Sequence, residues 1–163
     1  MIRVLIADDH ELIRLALTDI LAAESDMEVC GVAETGEAAV ELAHRCSPDV
    51  VVLDLTMPGA GGIEATARIR RTEPQVRVMV VSLHDDDAHV RGALAAGAIG
   101  YILKDTGASQ VVDAVRAVHR GEICLSPDAA RALGPRPAAD VNGRASPRAR
   151  VLRRPRKGPW RRW

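Results

Sequence analysis

Phenylalanine is absent, and the aromatic side chains amount to one tyrosine and two tryptophans, Tyr101, Trp160 and Trp163. Any core must therefore be aliphatic, assembled from Val, Leu, Ile, Ala and Met, a composition at home in a parallel α/β sheet. Cysteine is scarce too. Cys30, Cys46 and Cys124 are odd in number, scattered and free of C-x-x-C spacing, which argues against a disulfide framework or a zinc site and for a reducing compartment. No stretch approaches the ~18 consecutive apolar residues of a membrane span. Met1-Ile2-Arg3-Val4 runs straight into a strand pattern without a signal-peptide segment, so a soluble, cytoplasmic protein is expected. No repeat of solenoid length is visible.

Net charge is also absent, but the zero conceals an asymmetry. Residues 1–133 hold 12 Lys and Arg against 21 Asp and Glu, whereas 134–163 hold 10 against 1. The two parts are physically different objects. A length of 163 residues suits one well-packed domain with an appendage rather than two full domains.

What is present is an alternation. Short aliphatic runs at Ile2–Ala7, Glu28–Ala33, Val50–Leu53, Val76–Val81 and Gly100–Leu103 read as strands, several of them apolar on successive residues as in a sheet covered on both faces. Between and after them, Glu11–Ala23, Gly36–Arg45, Gly62–Arg71, Asp86–Ala96 and Ala108–Arg120 carry apolar residues at helical spacing. Five successive β-α units with right-handed crossovers predict a doubly wound α/β fold, whose ligand crevice lies at the carboxyl ends of the strands. Further on, Ser126-Pro127-Asp128 reads as a helix cap, predicting a short helix over Asp128–Leu133. From Gly134 the chain turns to Arg, Pro, Gly and Ala, and Pro135, Pro137, Pro147, Pro155 and Pro159 interrupt every helical window. Residues 134–163 are therefore expected to be disordered.

The strand ends carry the chemistry. Asp8 and Asp9 follow the first strand, Asp54 the third and Lys104 the fifth, while Ser82 ends the fourth. Any one such Asp is ordinarily a cap or turn former, but four matched strand ends outweigh that reading. Converging carboxylates repel by roughly 4 kcal/mol per pair at about 4 Å and an effective dielectric of about 20, so a cation must accompany them. Mg²⁺ and Lys104 fit, since Mg²⁺ is a hard ion held by one or two carboxylates with water and phosphate oxygens. Asp9 is the stronger ligand candidate; Asp8 either caps the next helix or helps hold the ion's hydration shell. An aspartate is also a nucleophile toward phosphorus, and transfer needs little beyond in-line positioning and neutralised oxygens. His10, His44, His84, His89 and His119 show no metal spacing and read as solvated or capping residues. Asp85-Asp86-Asp87 reads as a helix N-terminus complementing its dipole.

The order Asp8-Asp9-His10, Val52-Leu53-Asp54-Leu55-Thr56-Met57-Pro58-Gly59, Val81-Ser82-Leu83-His84 and Gly100-Tyr101-Ile102-Leu103-Lys104-Asp105 resembles response regulator receivers, above all the NarL/FixJ (LuxR) type, over residues 1–133. The resemblance implies a flavodoxin-like five-stranded parallel sheet of order 2-1-3-4-5 with helices on both faces. It divides the chain into a receiver at 1–120, a linker with a short helix at 121–133 and a basic tail at 134–163. It implies that Asp54 is the phosphoacceptor for a sensor histidine kinase and that Lys104 is the family's lysine. Ser82 would be its hydroxyl switch and Tyr101 its aromatic switch. Mg²⁺ would be held by Asp8, Asp9, Asp54 and the Thr56 carbonyl. In that account Ser82 moves inward on phosphorylation and Tyr101 follows into the vacated space. Tyr101 also admits a plainer reading, an edge-strand ring half covering aliphatic neighbours. Asp105 replaces the proline many receivers carry after the lysine, a variant the NarL/FixJ type shows.

NarL/FixJ regulators continue into a helix-turn-helix DNA-binding domain. Here Arg144-Ala145-Ser146-Pro147-Arg148-Ala149-Arg150-Val151-Leu152-Arg153 resembles a degraded opening of that domain, and the tail is expected to be a frameshifted or truncated remnant. Sequence-specific DNA contact is accordingly not expected, although the basic residues suit weak, salt-sensitive phosphate binding. Output is expected through a phosphorylation-dependent homodimer or partner, and a phosphorylation-independent binding module is the alternative. A haloacid dehalogenase-like phosphohydrolase would need D-x-D at the nucleophile, and position 56 is Thr. A flavin carrier would need a phosphate-cradling loop where Asp8-Asp9 stands.

Overall fold

A computed structural model describes residues 1–134 and 149–153. What was read above of 135–148 and 154–163 lies outside the described residues. Strands β1 (Ile2–Ala7), β2 (Met27–Ala33), β3 (Val50–Leu53), β4 (Arg77–Ser82) and β5 (Gly100–Leu103) alternate with helices α1 (Glu11–Ala22), α2 (Gly36–Cys46), α3 (Gly61–Thr72), α4 (Asp87–Ala95) and α5 (Ala108–His119). Then follow β6 (Ile123–Leu125), α6 (Pro127–Ala132) and β7 (Ala149–Val151). Every pairing is parallel, and the order is β2-β1-β3-β4-β5-β6-β7.

The five-stranded expectation is thus corrected to seven strands, with the order 2-1-3-4-5 kept and extended at one edge. β6 pairs with β5 through Gly100↔Cys124 and Tyr101↔Leu125, inside the stretch expected to be a linker. A three-residue strand is too short to leave an alternation in the sequence. β7 pairs with β6 inside the stretch expected to lack structure, and Leu152, just past it, is buried at 6 % exposure. Tyr101 is consequently not on an edge strand. Its ring is fully buried.

Successive strand residues point to opposite faces, so one run feeds two cores. Leu5, Ala7, Val51, Leu53, Val78 and Val80 pack with Ala39, Ala65, Ile69 and Val90 from α2, α3 and α4. Val4, Ile6, Val50, Val52, Met79 and Val81 pack with Leu17 and Leu21 of α1 and Val111, Val115 and Val118 of α5. Burying both faces explains why the central strands lack an apolar-polar alternation. Caps set several helix starts: Thr35, Asp86 and Ser126 each accept a backbone N–H from Ala38, His89 and Ala129. Among the described residues no helix is long and apolar enough to cross a membrane.

Candidate functional site

Parallel strands deliver their carboxyl ends to one edge, and the ladder continues just past them. The Asp54 N–H donates to the Ala7 carbonyl at 2.8 Å, and the Lys104 N–H to the Ser82 carbonyl at 2.9 Å. Lys104 Nζ then lies 2.7 Å from Asp8 Oδ2 and 3.1 Å from Asp54 Oδ2, and the three side chains are only 4 %, 2 % and 2 % exposed. One buried cation thus serves two buried carboxylates. Asp9 stands at the rim with its side chain 32 % exposed.

Charge balance and hydrogen bonding are both incomplete here. Asp54 Oδ2 is charge-paired with Lys104 off the direction of a hydrogen bond, and it is the buried side-chain oxygen without a hydrogen-bond donor among the described residues. Burial pushes the Asp54 carboxyl above its ordinary pKa, and the nearby Asp8 pushes the same way; Lys104 and the Thr56 backbone N–H act against them. A group in this state has room for a further cation. One oxygen each from Asp8, Asp9 and Asp54 and a ring nitrogen of His10 lie within 4.8 Å of one another. Three hard oxygen donors suit a hard divalent ion such as Mg²⁺.

His10, read from the sequence as solvated or capping, is exposed and at a cap position, and its ring also joins the acidic pair. Its Nδ1 lies 3.2 Å from Asp8 Oδ1 and 3.0 Å from Asp9 Oδ1, although the ring is 59 % exposed. Its only sequence signal was adjacency to the acidic pair. His10, not Asp8, is also the residue at the cap position of α1; Asp8 instead accepts the His10 backbone N–H at 2.9 Å. Asp8 is further held by Arg14, which donates to its carbonyl at 2.8 Å.

The two hydroxyl residues meet on one backbone. Ser82 is buried, and its Oγ accepts the His84 N–H at 3.1 Å. The Tyr101 hydroxyl donates to the His84 carbonyl at 2.6 Å. Burial raises the Tyr101 phenol above its ordinary pKa, so it remains a donor at neutral pH. A motion of Tyr101 into space vacated by Ser82 would therefore start, in this structure, from a ring already inside. Thr56, in the loop after Asp54, is exposed, and its hydroxyl lies 3.1 Å from His84 Nε2.

Below the acidic cluster, α3 approaches Asp54 through glycine. A Cβ at Gly62 would fall 2.2 Å from the Asp54 carbonyl oxygen and 2.5 Å from Leu55 Cα, so no larger residue fits without moving the backbone. The Gly62 N–H donates to the Leu55 carbonyl at 2.9 Å, which pins the loop carrying Asp54.

Known proteins resemble this chain in sequence and fold. The model of the response regulator receiver domain matches residues 4–116. Response regulator GacA of Pseudomonas aeruginosa is 41 % identical over 133 residues, which are 82 % of this chain and 62 % of GacA. Response regulator protein VraR of Staphylococcus aureus is 40 % identical over 127 residues, 78 % of this chain and 61 % of VraR. The chain thus spans less than two thirds of these relatives' length. Among solved structures, the receiver domain of the putative response regulator NarL from Mycobacterium tuberculosis superposes with a TM-score of 0.72 at 39 % identity, covering 74 % of this chain and 98 % of that one. A LuxR-family two-component response regulator from Aurantimonas gives 0.77 at 34 % identity, over 80 % and 94 %. On the match over residues 4–116 and these LuxR- and NarL-type relatives, the chain belongs to the response regulator receiver family.

Proposed function

We propose that Asp54 accepts a phosphoryl group from a sensor histidine kinase and that the acylphosphate changes the surface around α4 and β5. The observation that carries this reading is the buried Asp54 Oδ2, paired in charge but lacking a hydrogen-bond donor. A carboxylate in that state is poised to make a bond that the fold does not itself supply. Asp8, Asp9, Asp54 and the Thr56 carbonyl would hold Mg²⁺, which supplies positive charge to the equatorial phosphoryl oxygens.

An Asp54 oxygen forms the new O–P bond as the P–N bond of the phosphohistidine breaks, and its electron pair leaves on the imidazole. Lys104, already 3.1 Å from Asp54, shifts its charge onto a phosphoryl oxygen, while Asp8 retains its other contact. Ser82 donates a hydrogen bond from its hydroxyl to another of those oxygens. Turning toward the phosphoryl group weakens its bond to the His84 N–H, and the His84 carbonyl that holds Tyr101 moves with it. The altered face then supports homodimerisation or partner binding, and DNA output belongs to whatever that surface recruits.

The test is intact-protein mass after incubation with acetyl phosphate and Mg²⁺. A gain of one phosphoryl group, lost in Asp54→Asn and with a chelator, is expected. No gain in folded protein would leave a phosphorylation-independent binding module as the better account.

A further inference from the structure

We propose that His84, Asp86 and His89 form a second metal site, distinct from the acidic pocket, that takes zinc(II) or a similar borderline-soft divalent ion. One ring nitrogen from each histidine and one carboxylate oxygen of Asp86 lie within 4.8 Å of one another. Zinc bonds of about 2.0–2.1 Å place neighbouring tetrahedral ligands about 3.4 Å apart, so closing the site asks for shifts of about 1.5 Å together with a turn of one ring. Two imidazoles and one carboxylate favour zinc, nickel or copper over Mg²⁺ or Ca²⁺, which seek oxygen.

The cluster is more ordered than a helix cap requires. Asp86 Oδ1 accepts the His89 backbone N–H at 3.1 Å, which is the cap of α4. The other oxygen, Oδ2, lies 2.6 Å from His89 Nδ1, and an ion would replace the proton those two atoms share. Capping accounts for those two contacts but not for His84. Its ring lies flat on that of His89, with centroids 4.2 Å apart and planes within 8°, so one imidazole must turn before both rings can face one ion. Its Nε2 lies 3.1 Å from the Thr56 hydroxyl, a bond that coordination through Nδ1 would keep. An oxygen on the far nitrogen of a ligating imidazole is the usual outer support of a zinc site. Asp85, Asp86 and Asp87 offset the positive end of α4, so a cation is not repelled there. The side chains of His89 and Asp86 are 40 % and 51 % exposed, which leaves coordination positions for water and a path from solvent.

The site lies on the segment whose backbone holds Ser82 and Tyr101. An ion joining position 84 to position 89 would fasten that corner to α4 in the arrangement seen here.

Isothermal titration of the full chain with Zn²⁺ in excess Mg²⁺ tests the site, with Co²⁺ absorption as a report of ligand type. One Zn²⁺ per chain is expected, with a Co²⁺ spectrum showing nitrogen ligation. His84→Asn and His89→Gln should each weaken uptake at least ~10-fold. Asp86→Asn should weaken it as well while keeping the cap, since Asn caps as well as Asp, which separates lost ligation from lost folding. His10→Gln should leave it intact. Absence of uptake, or uptake that survives His89→Gln and disappears in His10→Gln or in a Cys30→Ser/Cys46→Ser variant, would overturn the assignment.

Discussion

The two ends of the sheet's working edge are built on opposite principles. At the centre, Asp8, Asp54 and Lys104 are charged groups removed from water, held by strands paired on both sides and by ladder bonds that run past the strand ends. At the outer edge, β6 and β7 are three residues each, anchored by the buried Cys124, Leu125 and Leu152. The centre stores electrostatic imbalance, which costs stability and makes chemistry available. The edge stores none and contributes only burial. The difference predicts that mutations at the centre have effects of either sign, whereas mutations at the edge have effects of one sign.

Four changes sharpen or break that contrast. Lys104→Met leaves two buried carboxylates facing each other and should cost about 3–5 kcal/mol in the metal-free protein, read by urea denaturation. A cost below ~1 kcal/mol would mean that the carboxylates relax to water. Gly62→Ala comes next. Its Cβ would overlap the Asp54 carbonyl, so a loss of about 2–3 kcal/mol is expected, together with slower phosphoryl uptake measured by mass. Leu152→Ala should cost about 1–2 kcal/mol and leave uptake unchanged, because the edge is remote from the chemistry.

The smallest expected effect has the opposite sign. The folded protein raises the Asp54 pKa, chiefly by burial, so between the unfolded and folded values the native state holds more protons than the unfolded one. Stability from this group therefore falls as pH rises through that window and stays reduced at neutral pH. Asp54→Asn removes the charge and should raise the metal-free unfolding free energy at pH 7 by on the order of 1 kcal/mol, with the gain vanishing toward acid pH. Equal midpoints at neutral and acid pH would show that Lys104 already offsets the burial.

Legibility followed the same division. β1, β3 and β5 were readable to the residue because continuous aliphatic runs bounded by Asp or Lys have few other interpretations. Asp54, Lys104, Asp8 and Asp9 were brought together by the order of the strands alone, which is a topological inference that needs no side-chain geometry. β6 and β7 were not readable, since three residues carry no period and the composition around β7 reads as unstructured. Pairing with an existing edge decided them instead. The ring contacts of His10 and the His84–His89 stack were missed for another reason. His10 is adjacent to the acidic pair in sequence, but the turn of its ring toward it, like the His84–His89 stack, depends on the course of a loop.

The meeting of Ser82 and Tyr101 at His84 has a genetic consequence. Both hydroxyls end on main-chain atoms, one on the N–H and the other on the carbonyl. Every amino acid except proline encodes that N–H, and all of them encode the carbonyl. An alanine scan would score position 84 by its ring alone and leave the junction untouched. The contact joining the two hydroxyls is thus shielded from nearly all coding variation at the residue that provides it, and His84→Pro is the substitution that would reveal it.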